Sequence, residues 1–149
     1  MKITKTLPQF AKETALLIVT GTEEADFYLA REGVLDKVAA FKVEKFHYSD
    51  REDFGRKGSV VFESGDKFSQ RKKMIRRDFL QGVKDNLKHI AGDNAGISTV
   101  YVLTPAEVKK DLAAALPPKL AAKVKKVISG NFHKEHPFVW LEKIRQTVK

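Results

Sequence analysis

Residues 71–103 read RKKMIRRDFLQGVKDNLKHIAGDNAGISTVYVL, and the change of period inside this stretch decides the fold. At about 100° per residue, Ile75, Phe79, Val83, Leu87 and Ile90 fall in one arc roughly 120° wide. Arg71 to Ala91 is therefore a helix with a single core-facing stripe. Gly92, Asn94 and Gly96 supply its stop signals. Ile97-Ser-Thr-Val-Tyr-Val-Leu103 then abandons the helical period for β-branched and aromatic residues in a short run, the pattern of a buried strand.

Beyond it, Thr104-Pro-Ala-Glu107 has the form of a helix start. Thr would cap, Pro takes the first helical position, and Glu follows three residues after the cap. That helix covers 105–115 and stops before Pro117-Pro118. A helical turn at 118–122 and a last strand, Val124-Lys-Lys-Val-Ile-Ser129, come next. His136 and Pro137 open a closing helix through Thr147, in which Val139 or Trp140, Ile144 and Val148 pack inward. On the N-terminal side, Ala15-Leu-Leu-Ile-Val-Thr20 is a buried strand closed by Gly21, and Ala25–Arg31 is a second strand. Glu32-Gly33 then forms a turn in which Gly supplies positive φ, and Val34 to about Phe46 is a third strand. Residues 1–13 form a lead-in, with Thr6–Phe10 as a single helical turn. The stretch 47–70 loses all period. Gly55, Gly58, Gly65 and four serines stand among mixed charges around one apolar island, Val60-Val-Phe62. It reads as a flexible loop, with a β-hairpin around the island as the alternative.

The order is β-β-β, loop, α, β, α, β, α. Three strands joined by short turns form an antiparallel meander, and strands alternating with helices imply parallel crossovers. The expectation is one α/β domain over 1–149. Its mixed five-stranded sheet carries an antiparallel β-meander and βαβ crossovers, the shape of ribonuclease-H-like folds.

Composition narrows the function. The chain has 149 residues, 28 Lys or Arg against 19 Asp or Glu, a net charge of +9 and no cysteine. Disulfides, cysteine zinc sites and thiol chemistry are excluded. No apolar run approaches the roughly 18 residues of a membrane span. Lys2, Lys5 and Lys12 break any secretory pattern, so a cytoplasmic protein without a membrane partner is expected. The basic excess favours polyanions, through release of counterions from phosphates.

The charges concentrate on the long helix. Arg71, Lys72, Lys73, Arg76 and Arg77 make five basic residues in seven. Lys73, Arg77, Lys84 and Lys88 project within an arc of roughly 60°. A row of cations on a rigid rod suits a phosphate backbone, and Arg56 and Lys57 in the preceding loop would add contacts. The same pattern also describes a solvated helix face, partly neutralised by Asp78 and Asp85. Cations in a helix's first turns oppose its dipole, which argues for a reason other than helix stability.

Other chemistry finds little support. There is no G-x-G-x-x-G, no G-x-x-x-x-G-K-[ST] and no G-x-S-x-G. A two-metal nuclease needs converging carboxylates. The first strand has none, and Asp26 and Asp36 cannot substitute alone. His133 and His136, three apart with Glu135 between them, lack a third metal ligand at motif spacing, so capping or surface roles are expected. His89 at a helix end suits the dipole. No metal and no cofactor are expected.

Several local patterns together resemble a known family. They are Leu17-Ile-Val-Thr-Gly-Thr22, Asp26-Phe-Tyr-Leu-Ala-Arg31 with its Glu32-Gly33 turn, and the loop Asp50-Arg-Glu-Asp-Phe-Gly-Arg56. With them go Ser69-Gln-Arg-Lys-Lys-Met-Ile-Arg-Arg-Asp-Phe79, Val100-Tyr-Val-Leu-Thr-Pro105 and Lys126-Val-Ile-Ser-Gly-Asn-Phe132. Over about residues 12–147 the chain resembles the middle domain of archaeal/eukaryotic-type class 1 peptide-chain release factors. More closely, it is similar to their bacterial relatives, some labelled host-attachment proteins. The resemblance implies a loop before the long helix that, in release factors, bears Gly-Gly-Gln and promotes hydrolysis of peptidyl-tRNA. Here that stretch is Gly65-Asp-Lys-Phe-Ser-Gln-Arg71, and Gln70 follows Ser69 rather than two glycines. The freedom that a Gly pair gives is missing, and no catalytic residue carries over. The fold family is also similar to ribosomal proteins of the S11 and L18 types, which bind ribosomal RNA without catalysis. The resulting expectation is a non-catalytic RNA- or ribosome-associated module. Two alternatives stay open: a peptidyl-tRNA or ester hydrolase using Gln70, and a protein-interaction adaptor.

Overall fold

A computed structural model describes residues 1–43, 60–93 and 96–148, with side chains at 1–43, 70–93 and 96–147. Its strands are β1 (Ala15–Thr20), β2 (Glu24–Arg31), β3 (Val34–Lys42), β4 (Thr99–Thr104) and β5 (Val124–Ser129). Its helices are α1 (Val60–Asp93), α2 (Ala106–Ala115), the single turn α3 (Pro118–Ala121) and α4 (Pro137–Val148). The strands form one open sheet in the order β3-β2-β1-β4-β5. β1 pairs antiparallel with β2 and parallel with β4. β2 continues antiparallel to β3, and β4 parallel to β5. The α/β class, the meander and the crossovers are as the sequence predicts.

β1 lies at the centre and is buried along its whole length, because helices cover both faces of the sheet. Leu16 and Ile18 point to one side, where Phe79, Val83, Leu87 and Ile90 of α1 meet Leu112, Leu116 and Leu120. Leu17 and Val19 point to the other, against Trp140, Leu141 and Ile144 of α4 and Ile3, Leu7 and Phe10 of the N-terminal segment. The alternation of a strand thus divides one apolar run between two cores. Trp140, rather than the exposed Val139, is the inward residue of α4.

The turn between β2 and β3 has two central residues, Glu32 and Gly33, both at positive φ (49° and 74°). Mirror-image turns of this kind match the twist of a hairpin. Farther along the hairpin, Phe27 pairs with Ala39 while Tyr28 pairs with Lys37. Val38 is therefore an extra residue, a bulge on the outermost strand. The start of β3 is covered by the N-terminal segment: Leu35 N–H donates to Met1 O at 2.7 Å, and Ile3 N–H to Gly33 O at 2.7 Å.

Three expectations need correction. The helix does not start at Arg71: α1 is already helical at Val60, so 60–70 is neither loop nor hairpin. Gly65 and the serines there are poor helix formers, but propensity is a weak prior. The remaining part of the expected loop, 47–59, lies outside the described residues, as do 44–46 of the expected third strand, which ends at Lys42. Thr6–Phe10 is not a helical turn. It is a loop tied by the Gln9 amide, which donates to Thr4 O and Leu7 O at 2.8 and 3.0 Å. Finally, Thr104 does not cap α2, whose N-terminus has no side-chain cap. Its hydroxyl is buried and engaged with Thr20 instead.

Candidate nucleic-acid interface

The apolar stripe of α1 fixes where its charges go. With Phe79, Val83 and Leu87 pinned to the sheet, Lys72, Lys73, Arg77, Lys84 and Lys88 are exposed. α2 packs beside α1, and the two helices leave a groove of about 610 Å³ between them. Lys72, Lys73, Arg76, Arg77, Leu80, Gln81 and Lys84 line it from α1, and Asp111 lines it from α2. Five of the seven basic helix positions singled out in the sequence thus share one concavity. Lys88 continues their row outside it, and Arg71, half-buried, is not among its lining residues. Arg56 and Lys57 lie outside the described residues.

Because α1 begins at Val60, Arg71–Arg77 sit mid-helix rather than in its first turns. The macrodipole acts within the terminal turns, so these cations carry no penalty from it, contrary to the expectation for a helix that starts at Arg71. His89 is likewise one turn short of the helix end at Asp93.

Among the described residues, acids engage Arg76 and Arg77 of the row. Arg76 Nη1 lies 3.2 Å from Asp111 Oδ2, and Arg77 Nε lies 3.8 Å from Asp78 Oδ1. Asp85 accepts a hydrogen bond from the Gln81 amide at 3.0 Å. Both ion pairs are solvent-exposed, and pairs of that kind hold side chains weakly.

The histidines separate. His136 Nδ1 accepts the Phe138 backbone N–H at 3.2 Å and caps α4, as expected. His133 is not a surface residue. Its ring nitrogens are buried and lack sound hydrogen bonds. Nδ1 faces Glu24 Oε1 at 3.6 Å and Nε2 faces Asp26 Oδ1 at 3.3 Å. Sequence reasoning missed this cluster, since nothing local links His133 to the start of β2. Among the described residues no group of three His, Asp or Glu side chains is arranged to hold a metal ion, and no helix is long and apolar enough to cross a membrane.

No protein-family model matches the chain, and no curated protein matches it in sequence. Solved structures do. An archaeal translation termination factor matches 91% of the chain at TM-score 0.53 and 10% identity. Archaeal Pelota, in a model of a ribosome-bound complex with ABCE1, matches 89% at 0.51 and 18%. The fold is release-factor-like. The chain spans 38% and 32% of those structures, about a third of each, and at such identities the likeness concerns architecture alone.

Proposed function

We propose that this protein is a non-catalytic RNA- or ribosome-associated module of the cytoplasm whose α1 lies along a phosphate backbone. One observation carries the reading: five cations of one helix converge on a groove that, among the described residues, holds a single acid. From Lys73 to Lys88 the row extends about 22 Å at 1.5 Å per residue, long enough to follow several consecutive phosphates of one strand. The architecture shared with a translation termination factor and with ribosome-bound Pelota supports the same setting.

The lining of the groove supports one kind of RNA. Single-strand binders stack bases on exposed aromatic rings. Among the described residues the exposed large apolar side chains are Met1, Val38 and Val139, and none is aromatic. Among the described residues the groove is lined by cations and by no aromatic ring, a lining that suits structured RNA read through its backbone and shape. Gln70, the candidate of the hydrolase alternative, is exposed within α1, with helix on both sides. It lacks the loop setting that the hydrolase reading needs.

The test replaces Lys73, Arg77, Lys84 and Lys88 with Gln and measures binding to structured RNA across a salt series, alongside co-sedimentation with ribosomes. Wild type should lose affinity steeply with salt, by close to one logarithmic unit per contacted phosphate per tenfold salt. The variant should bind weakly with a flattened slope. Unchanged binding and sedimentation would overturn the reading.

A further inference from the structure

We propose that Asp111 is a built-in competitor for Arg76, which closes the groove to isolated anions while leaving it open to a continuous phosphate backbone. The inference rests on the reading of the groove as a backbone-binding surface and concerns its selectivity. Among the described residues Asp111 is the one acid that lines the groove, and it reaches the groove from a different helix than the cations. Its carboxylate oxygen sits 3.2 Å from the Arg76 guanidinium, where a phosphate oxygen would bind, since guanidinium recognises both anions in the same geometry.

The contact is intramolecular, so Asp111 competes at a high effective concentration that a lone phosphate in solution cannot match. A polymer differs. Its neighbouring phosphates engage Lys73, Arg77 and Lys84 at once, each releasing counterions, and that combined gain displaces one carboxylate. Opening the pair costs the fold little, because Arg76 and Asp111 are 32% and 52% exposed.

The experiment compares wild type, Asp111→Asn and Asp36→Asn, using a short RNA duplex and inorganic phosphate as probes. Asp36 is 70% exposed on the sheet edge beside Met1, so its replacement changes net charge equally without touching the groove. Asp111→Asn should bind the duplex about three- to tenfold tighter at low salt, with a gap that narrows as salt rises. It should also acquire saturable phosphate binding, read as a shift of the Arg76 side-chain NMR signal, that wild type and Asp36→Asn lack. Equal tightening by Asp36→Asn would reduce the effect to net charge and overturn the competitor, and so would weaker duplex binding by Asp111→Asn. An Arg77→Gln, Lys84→Gln variant separates the two levels. If it weakens duplex binding while Asp111→Asn changes nothing, the competitor is wrong and the interface stands. If it too binds normally, the interface itself is wrong.

Discussion

The hydroxyls of Thr20 and Thr104 meet at 2.6 Å, fully buried, where the parallel strands β1 and β4 end side by side. Each satisfies the other in a place water does not reach. Removing one leaves its partner without a hydrogen bond, at a cost of about 1–3 kcal/mol, whereas replacing both with groups of the same shape is nearly neutral. Thr104→Val should therefore lower stability by that amount in urea denaturation. Adding Thr20→Val should restore most of it. Additive losses would show that the contact carries no coupling.

His133 ties the segment before α4 to the start of β2 through Glu24 and Asp26. His133→Ala removes the ring packed between two partly buried carboxylates, of which Asp26 keeps Lys37 at 3.4 Å. A loss of about 0.5–3 kcal/mol is expected from the buried ring that is removed, and Glu24→Gln in that background should recover part of it. Urea midpoints of the three proteins check this.

Gly82 lies on α1 against β3. A Cβ there would come within 2.5 Å of the Phe41 ring, which packs near Phe27 and Phe79. Gly→Ala in a helix normally gains close to 1 kcal/mol. Here steric conflict should reverse the sign, and Gly82→Ala should lower the melting temperature. Phe41→Leu, by opening the space, should bring it back above the Phe41→Leu single variant.

Tyr28 and Tyr101 set an alkaline limit. Burial, the charge of Asp26 and a hydrogen bond to it push the Tyr28 phenol up to about 12. Burial and the charge of Glu13 push Tyr101 up to about 12. An unfolded tyrosine ionises near 10, so between about 10 and 12 the folded chain holds more protons than the unfolded one, and stability falls as pH rises. The contribution is complete below pH ~10 and is lost through pH ~12. Urea midpoints at several pH values across this window should fall, and Tyr101→Phe should shrink the drop.

How much of this the sequence shows depends on how far apart the cooperating residues are. Ala15–Thr20 and Val124–Ser129 were bounded by local signals alone, and the structure gives them the same limits. The positive φ of Gly33 and the stripe from Phe79 to Ile90 were equally local. The start of α1 was hidden because Gly65 and its neighbouring serines argue against helix on propensity, which does not decide a segment continuous with a packed helix. Thr104 misleads because a cap motif is local, while its actual partner lies on another strand. The row of cations was legible from a helical wheel. Asp111, which faces it from another helix, and Glu24 and Asp26, which face His133 from the far end of the chain, left no pattern that spacing could reveal.

The extra residue at Val38 bears on how the protein behaves when concentrated. β3 is the outermost of the five strands, and past its start, which the N-terminal segment covers, an edge of this kind templates strand addition by neighbouring molecules. The bulge bends the ladder midway, and Lys37 and Lys42 place charge on both sides of it. An incoming chain cannot keep register past that point, so the edge resists the stacking that leads to aggregates. Deleting Val38 would straighten the strand and remove this protection.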